Sequence, residues 1–142
     1  MIKQKVLIQN NEIIRVGNDY EIDQQDYLNQ SLIRIDLPQE LYGEEQRFLA
    51  FVDGQISLQA ELKQSTLRAE KLQNIRSIRD QKLMQADHAI FKAEDNNQDA
   101  SALRAHREQL RNFTEQFKDE NGNPSEVLDS VVVEQLIFPA KP

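Results

Sequence analysis

The sequence predicts an α+β fold: a small N-terminal antiparallel β region, an antiparallel two-helix hairpin, and an extended C-terminal arm. Three observations predict it. Residues 1–60 hold short apolar runs separated by turn-forming residues. Residues 61–93 contain no Gly or Pro and repeat apolar residues at helical spacing. After a polar break, residues 103–117 repeat them again. The expected division is therefore 1–60, 61–120 and 121–142, with helices at about 65–93 and 99–119.

In the β region, Val6-Leu7-Ile8 and Ile13-Ile14-Arg15-Val16 flank Asn10-Asn11, a pair that tolerates positive φ. Gly17-Asn18-Asp19 ends the second strand, and Tyr20 opens a polar, irregular stretch to Ser31. Leu32-Ile33-Arg34-Ile35-Asp36-Leu37 alternates, and Pro38 stops it. The sharpest local signal is Leu49-Ala50-Phe51-Val52-Asp53-Gly54-Gln55-Ile56-Ser57-Leu58. Asp53-Gly54 suits a two-residue type I′ turn, which pairs Phe51 with Ile56 and Leu49 with Leu58 on one face. Each apolar cross-strand pair contributes about 0.2–1 kcal/mol.

In the helical part, Leu67, Leu72, Ile75, Ile78, Leu83, Ala86, Ala89, Ile90 and Ala93 share one broad face. Arg68, Lys71, Arg79 and Lys82 lie within or beside it, where long stems cover apolar surface while the heads reach water or a carboxylate. Ser65 and Thr66 are both suitable caps. Asp99 is the expected cap of the second helix, whose seam is Leu103, His106, Leu110, Phe113 and Phe117. A short polar connection between two such helices favours an antiparallel hairpin. Gly122 is the expected terminator of that helix. Residues 125–130 suit a single turn, and residues 131–138, with Val131-Val132-Val133 and Leu136-Ile137-Phe138, read as an extended arm or strand that needs a covering surface.

Composition excludes several function classes. The 142 residues carry a formal net charge of -7. Residues 1–60 hold five Lys/Arg against ten Asp/Glu, and residues 61–142 twelve against fourteen. An acidic chain lacks the concentrated basic surface that duplex nucleic acid requires. There is no cysteine, so disulfides, thiolate metal sites and Cys nucleophiles are excluded. No run has the length of a signal-peptide core or a membrane span, so the expected compartment is a cytoplasm.

No catalytic constellation is visible. His88 and His106 lack the spacing of a zinc motif, and His106 reads as a packed residue of the apolar seam. Glu40, Glu44 and Glu45 cluster in a polar stretch without a pocket to separate their pKa values. Asp119-Glu120-Asn121-Gly122-Asn123 lacks the ligand ladder of a calcium loop. Phosphate-cradling glycine loops and nucleophile elbows are absent. The distinctive polar feature is a set of charges on the two helices: Arg76, Arg79, Asp80, Asp87, Arg107 and Arg111. Two readings fit it, an ion-pair network between the helices and a docking surface for a partner protein.

Arg76-Ser77-Ile78-Arg79-Asp80-Gln81-Lys82-Leu83, Asp87, His106-Arg107-Glu108-Gln109-Leu110-Arg111-Asn112 and the ending Phe138-Pro139-Ala140-Lys141-Pro142 occur in that order. In order and spacing, residues 72–142 resemble the phage tail assembly chaperone family, also called tail fibre assembly proteins. His88 and Phe138 stand where that family usually has Trp, His106 where it has Tyr, and Asn112 where it has Asp. These exchanges keep bulk and lose indole contacts. The resemblance implies a non-catalytic phage or prophage protein that binds the tail fibre and assists its folding, trimerisation or attachment in the host cytoplasm. The partner-binding positions it implies are Arg76, Arg79, Asp80, Asp87, His88, His106, Arg107, Leu110, Arg111, Phe138 and Pro139. No cofactor, metal, nucleic acid or membrane is expected; the baseplate and a second copy of the chain are further partners. The rival expectation is a structural component of the virion, an adaptor that stays at the fibre or baseplate of the mature tail. An enzyme is not expected.

Overall fold

Asn10 and Asn11 take φ of 53° and 63°, and Asp53 and Gly54 take 53° and 76°. These two positive-φ pairs close two hairpins, as the turn chemistry predicts. The computed structural model describes residues 3–18, 22 and 32–142. The polar stretch expected to be irregular lies outside the described residues, except Ile22, whose side chain is buried.

The fold is α+β. Two compact units divide the chain, Met1–Lys63 and Gln64–Pro142. In the first, β1 (Gln4–Gln9), β2 (Glu12–Asn18) and β3 (Ile33–Asp36) form an antiparallel sheet in the order β2-β1-β3. A bulge shifts the β1–β2 register between Leu7 and Ile8, so Leu7 faces Arg15 while Ile8 faces Ile13. β4 (Leu49–Val52) and β5 (Gln55–Leu58) pair in the predicted register, Leu49 with Leu58 and Phe51 with Ile56.

Alternation carries Val6 and Ile8 of β1 into a core with Leu37, Leu49 and Ile56, bordered by Ile13, Val16, Ile35, Tyr42, Phe51 and Leu58. Leu7, on the other face of β1, is buried as well. Pro38 ends the β3 segment, and a 3-10 turn, Gln39–Leu41, follows. The Tyr42 hydroxyl accepts the Gln4 N–H at 3.0 Å, and the Gln59 N–H donates to the Phe48 carbonyl at 2.7 Å. Glu44 pairs with Lys63 at 2.6 Å and Glu45 with Arg47 at 2.7 Å, so these two members of the acidic cluster serve local ion pairs.

The second unit is built on α1 (Ala60–Asp95), which begins five residues before the expected start because residues 60–64 offer no breaker. It ends at Asp95, and in the turn that follows Asn97 takes φ 55°. The Gln98 N–H donates to the Ala93 carbonyl at 2.8 Å and the Asn97 N–H to the Glu94 carbonyl at 3.0 Å. This is a Schellman termination with Asn in the left-handed position. α2 (Ser101–Asn112) follows. The Asp99 carboxylate accepts the Ser101 N–H at 2.9 Å and the Ser101 hydroxyl, which holds Asp99 below the usual carboxylate range. Asp99 thus caps the helix from one position further out than a standard N-cap.

Three expectations for the C-terminal part are corrected. α2 ends at Asn112, and Phe113–Phe117 winds on as a tighter 3-10 turn. Gly122 does not end the helix; it sits at φ 80° in a small loop where the Asp119 carboxylate accepts the N–H groups of Asn121 and Asn123 at 2.8 and 2.9 Å. Residues 131–138 form no strand. The predicted turn is present as Glu126–Ser130, a second 3-10 turn spans Val133–Gln135, and the rest is irregular. β-branched propensity is overridden because no strand among the described residues pairs with these residues, and Val131, Val133, Leu136 and Phe138 pack against the helical unit's core instead.

The core of this unit is Leu72, Ile75, Phe117 and Leu128, with Phe113, Val131, Val133, Leu136 and Phe138 packed against it. The arm is therefore part of the helical unit, packed against the cluster that Leu72 and Ile75 of α1 share with Phe117 and Leu128, with Phe138 reaching Lys82.

Candidate functional site

Between the helices, contacts follow a falling register. Arg79 Nη1 donates to the Thr114 hydroxyl at 3.1 Å, Arg107 pairs with Asp87, and Arg104 pairs with Glu94. As one partner moves up the chain the other moves down, which is the signature of antiparallel helices. The Arg107–Asp87 hydrogen bond raises the Arg107 pKa further above its ordinary value.

The expected six-charge network does not form as one network. Asp87 and Arg107 bridge the helices. Arg79 holds its neighbour Asp80 at 2.7 Å, and Arg111 reaches Glu108 at 3.4 Å, one turn back on the same helix. Arg76 has no ion pair among the described residues, although it lies near enough to help lower the Glu115 pKa, after Lys118, which dominates through its hydrogen bond. The second bridge, Glu94–Arg104, belongs to residues outside the expected set. Its signal was present in the sequence as opposite charges straddling the polar break, but pairing them requires the loop geometry that Asn97 sets.

The four basic residues beside the apolar face all act on the C-terminal segment. Arg68 grips Asp129 with two parallel hydrogen bonds, Nε to Oδ1 at 2.8 Å and Nη2 to Oδ2 at 2.5 Å. Lys71 donates to the Leu128 carbonyl at 2.9 Å. Arg79 meets Thr114, which is fully buried, and Lys82 Nζ stands 5.3 Å above the Phe138 ring. The ring of Phe138 in turn lies 4.4 Å from that of Phe113. The stems cover apolar surface, and their heads fasten the returning chain to α1.

Burial sorts the eleven expected partner-binding residues. Leu110 is fully buried and His106 is 8% exposed, so both pack inside the unit. Phe138 and Pro139 are half-buried. Asp80, Asp87, His88 and Arg111 are exposed, with Arg76, Arg79 and Arg107 intermediate. Of the exposed members, Asp87 pairs with Arg107 across the helices, while Asp80 and Arg111 pair within their own helices. Among the described residues no three His, Asp or Glu side chains are placed to hold a metal, and no helix is long and apolar enough to cross a membrane.

Sequence reasoning missed a groove on the second half of α1, about 550 Å³, lined by Met84, Gln85, His88, Ala89, Lys92 and Lys141. A narrower cleft of about 120 Å³ adjoins it, sharing Gln85 and Lys141 and lined further by Lys82, Ala86, Leu103, His106 and Pro139. Met84, His88 and Phe91 were legible as one helical face, but Lys141 joins them only through the path of the tail. A separate groove of about 730 Å³ in the first unit runs past Glu12, Ile13, Gln46, Arg47 and Phe51. Comparisons with protein-family models, curated proteins and solved structures return no match.

Proposed function

We propose that this protein is a non-catalytic phage or prophage tail fibre assembly chaperone, which binds the fibre chain and assists its folding, trimerisation or attachment. The observation that carries the reading is how the three separated stretches of the resemblance are used. Arg79 and Lys82 from the first, Arg107 from the second and Phe138 from the third all make contacts within one unit, through Thr114, Phe113 and Asp87. Order and spacing of those stretches therefore follow from one packing arrangement, which is what a shared fold with the resembled family requires.

The physics of the task agrees with such a molecule. Long β-rich fibres fold slowly and expose strand edges and apolar surface before they trimerise. A helper needs surfaces rather than reacting groups. β3 forms an outer strand of its sheet, and Ile33 on it is 51% exposed; an outer strand offers backbone groups to an incoming strand.

The test is expression of the neighbouring fibre chain with and without this protein. Soluble trimeric fibre is expected to depend on its presence; equal yields contradict the reading. The second reading, a virion adaptor, keeps the same surfaces. Mass spectrometry of purified particles separates the two, since a chaperone is absent from them and an adaptor is present in fixed ratio to the fibre.

A further inference from the structure

We propose that the groove between Met84 and Lys141 is the docking site for an acidic, apolar-containing segment of the partner polypeptide. A partner Asp or Glu carboxylate would sit between the Lys92 and Lys141 amines, with an aliphatic or aromatic side chain on Met84 and Ala89. This rests on the reading that the protein works by holding another polypeptide, and it names the chemistry of the held segment.

Charge is the first argument. The chain as a whole is acidic, yet none of the six residues lining the groove is a carboxylate, and two are lysines. Among the described residues Lys92 and Lys141 have no salt bridge, a state they share with Lys71, Arg76 and Lys82 of the same unit, whereas Arg68, Arg79, Arg104, Arg107, Arg111 and Lys118 each have one. The adjoining cleft adds Lys82 and again no carboxylate. Cationic groups left without carboxylates beside a concave surface favour an anionic occupant.

The second argument is apolar surface: Met84 and Ala89 bring it to the groove, and Phe91 extends it along the same helix outside the groove. Met84 is 68% exposed and Phe91 65%, two turns apart on the face that carries His88. Methionine adapts to varied partner side chains, and exposed Met and Phe with a charged border match the make-up of a peptide-binding helix face. A third observation is independent of both. His106 lines the adjoining cleft, and its buried Nδ1 has no hydrogen-bond partner. A buried polar atom without a partner is costly, so this ring is a place where the packing beside the cleft gains by rearranging around an added hydrogen-bonding group.

The probes are a fluorescein-labelled peptide alternating Asp/Glu with Leu/Phe and the same peptide with Asn/Gln in place of the acids. Binding to the full chain is read by anisotropy, and methyl NMR follows Met84 and Ala89. The acidic peptide is expected to shift both methyl signals and to bind at least about tenfold more tightly than its neutral counterpart. The double variant Lys92→Glu/Lys141→Glu is expected to lose that preference while keeping the wild-type unfolding midpoint, because both side chains are exposed. Equal affinity for the two peptides, or shifts confined to other residues, overturns the proposal. So does a dimer by light scattering that the double variant abolishes, since the occupant is then a second copy. In fibre co-expression, unchanged trimer yield with the double variant overturns the groove while leaving the chaperone reading intact. Peptide binding without any effect on the fibre does the reverse.

Discussion

Asn97 terminates the long helix in a conformation that most side chains resist. Asn97→Gly is expected to leave stability equal or slightly higher, and Asn97→Val to cost about 1–2 kcal/mol, measured as a lower urea midpoint. At Gly54 an added Cβ would meet nothing within 4 Å, so a substitution there is opposed by φ alone. Asp129 carries the pH dependence most plainly. Its hydrogen bonds from Arg68 hold its pKa below the ordinary carboxylate value, as the Ser101 and Lys118 contacts do for Asp99 and Glu115. Between the folded and unfolded pKa values the unfolded chain binds more protons, so stability rises with pH in that window. It is fully present above the unfolded value of about 4 and lost as pH falls through the lowered folded values. Asp129→Asn is expected to flatten the acid limb of the stability–pH curve; an unchanged slope would remove the pair from the account.

The elements differ in how far the sequence alone reveals them. Both hairpins were legible because Asn10-Asn11 and Asp53-Gly54 dictate turn and register locally. The long helix was legible from its spacing and the lack of breakers. The 3-10 winding at Phe113–Phe117 was not, because it follows from seating Phe113 and Phe117 edge-to-face, 5.6 Å apart, within a tertiary core. Of the two readings of residues 131–138, arm and strand, the strand fails for a related reason. Val131 and Val133 have strand propensity, but they pack against a cluster that includes Leu72 and Ile75 of α1, more than fifty positions back. Leu128→Ala, at a fully buried position, is expected to cost about 2–5 kcal/mol. Phe138→Ala should cost less, since its ring is half-buried. If denaturant unfolding shows the second unit unmoved by Leu128→Ala, the arm is not part of its core.

At the level of the entire chain, no three His, Asp or Glu side chains among the described residues are placed to hold a metal, and the salt-bridged groups of the helical unit are used in pairs. The expected charges on the helices were readable as a set, but their division into one bridge between the helices and local pairs within each was not, because the register set by the loop decides it. Among the described residues, the surfaces proposed for a partner are the outer β3 strand and the groove at Met84 and Lys141. The central claim is that these surfaces serve a fibre chain during its folding. Diluting denatured fibre chain into buffer with increasing amounts of this protein tests it most directly, with native trimer as the readout. The account predicts that trimer yield rises with the amount added and levels off; a yield independent of the protein would contradict it.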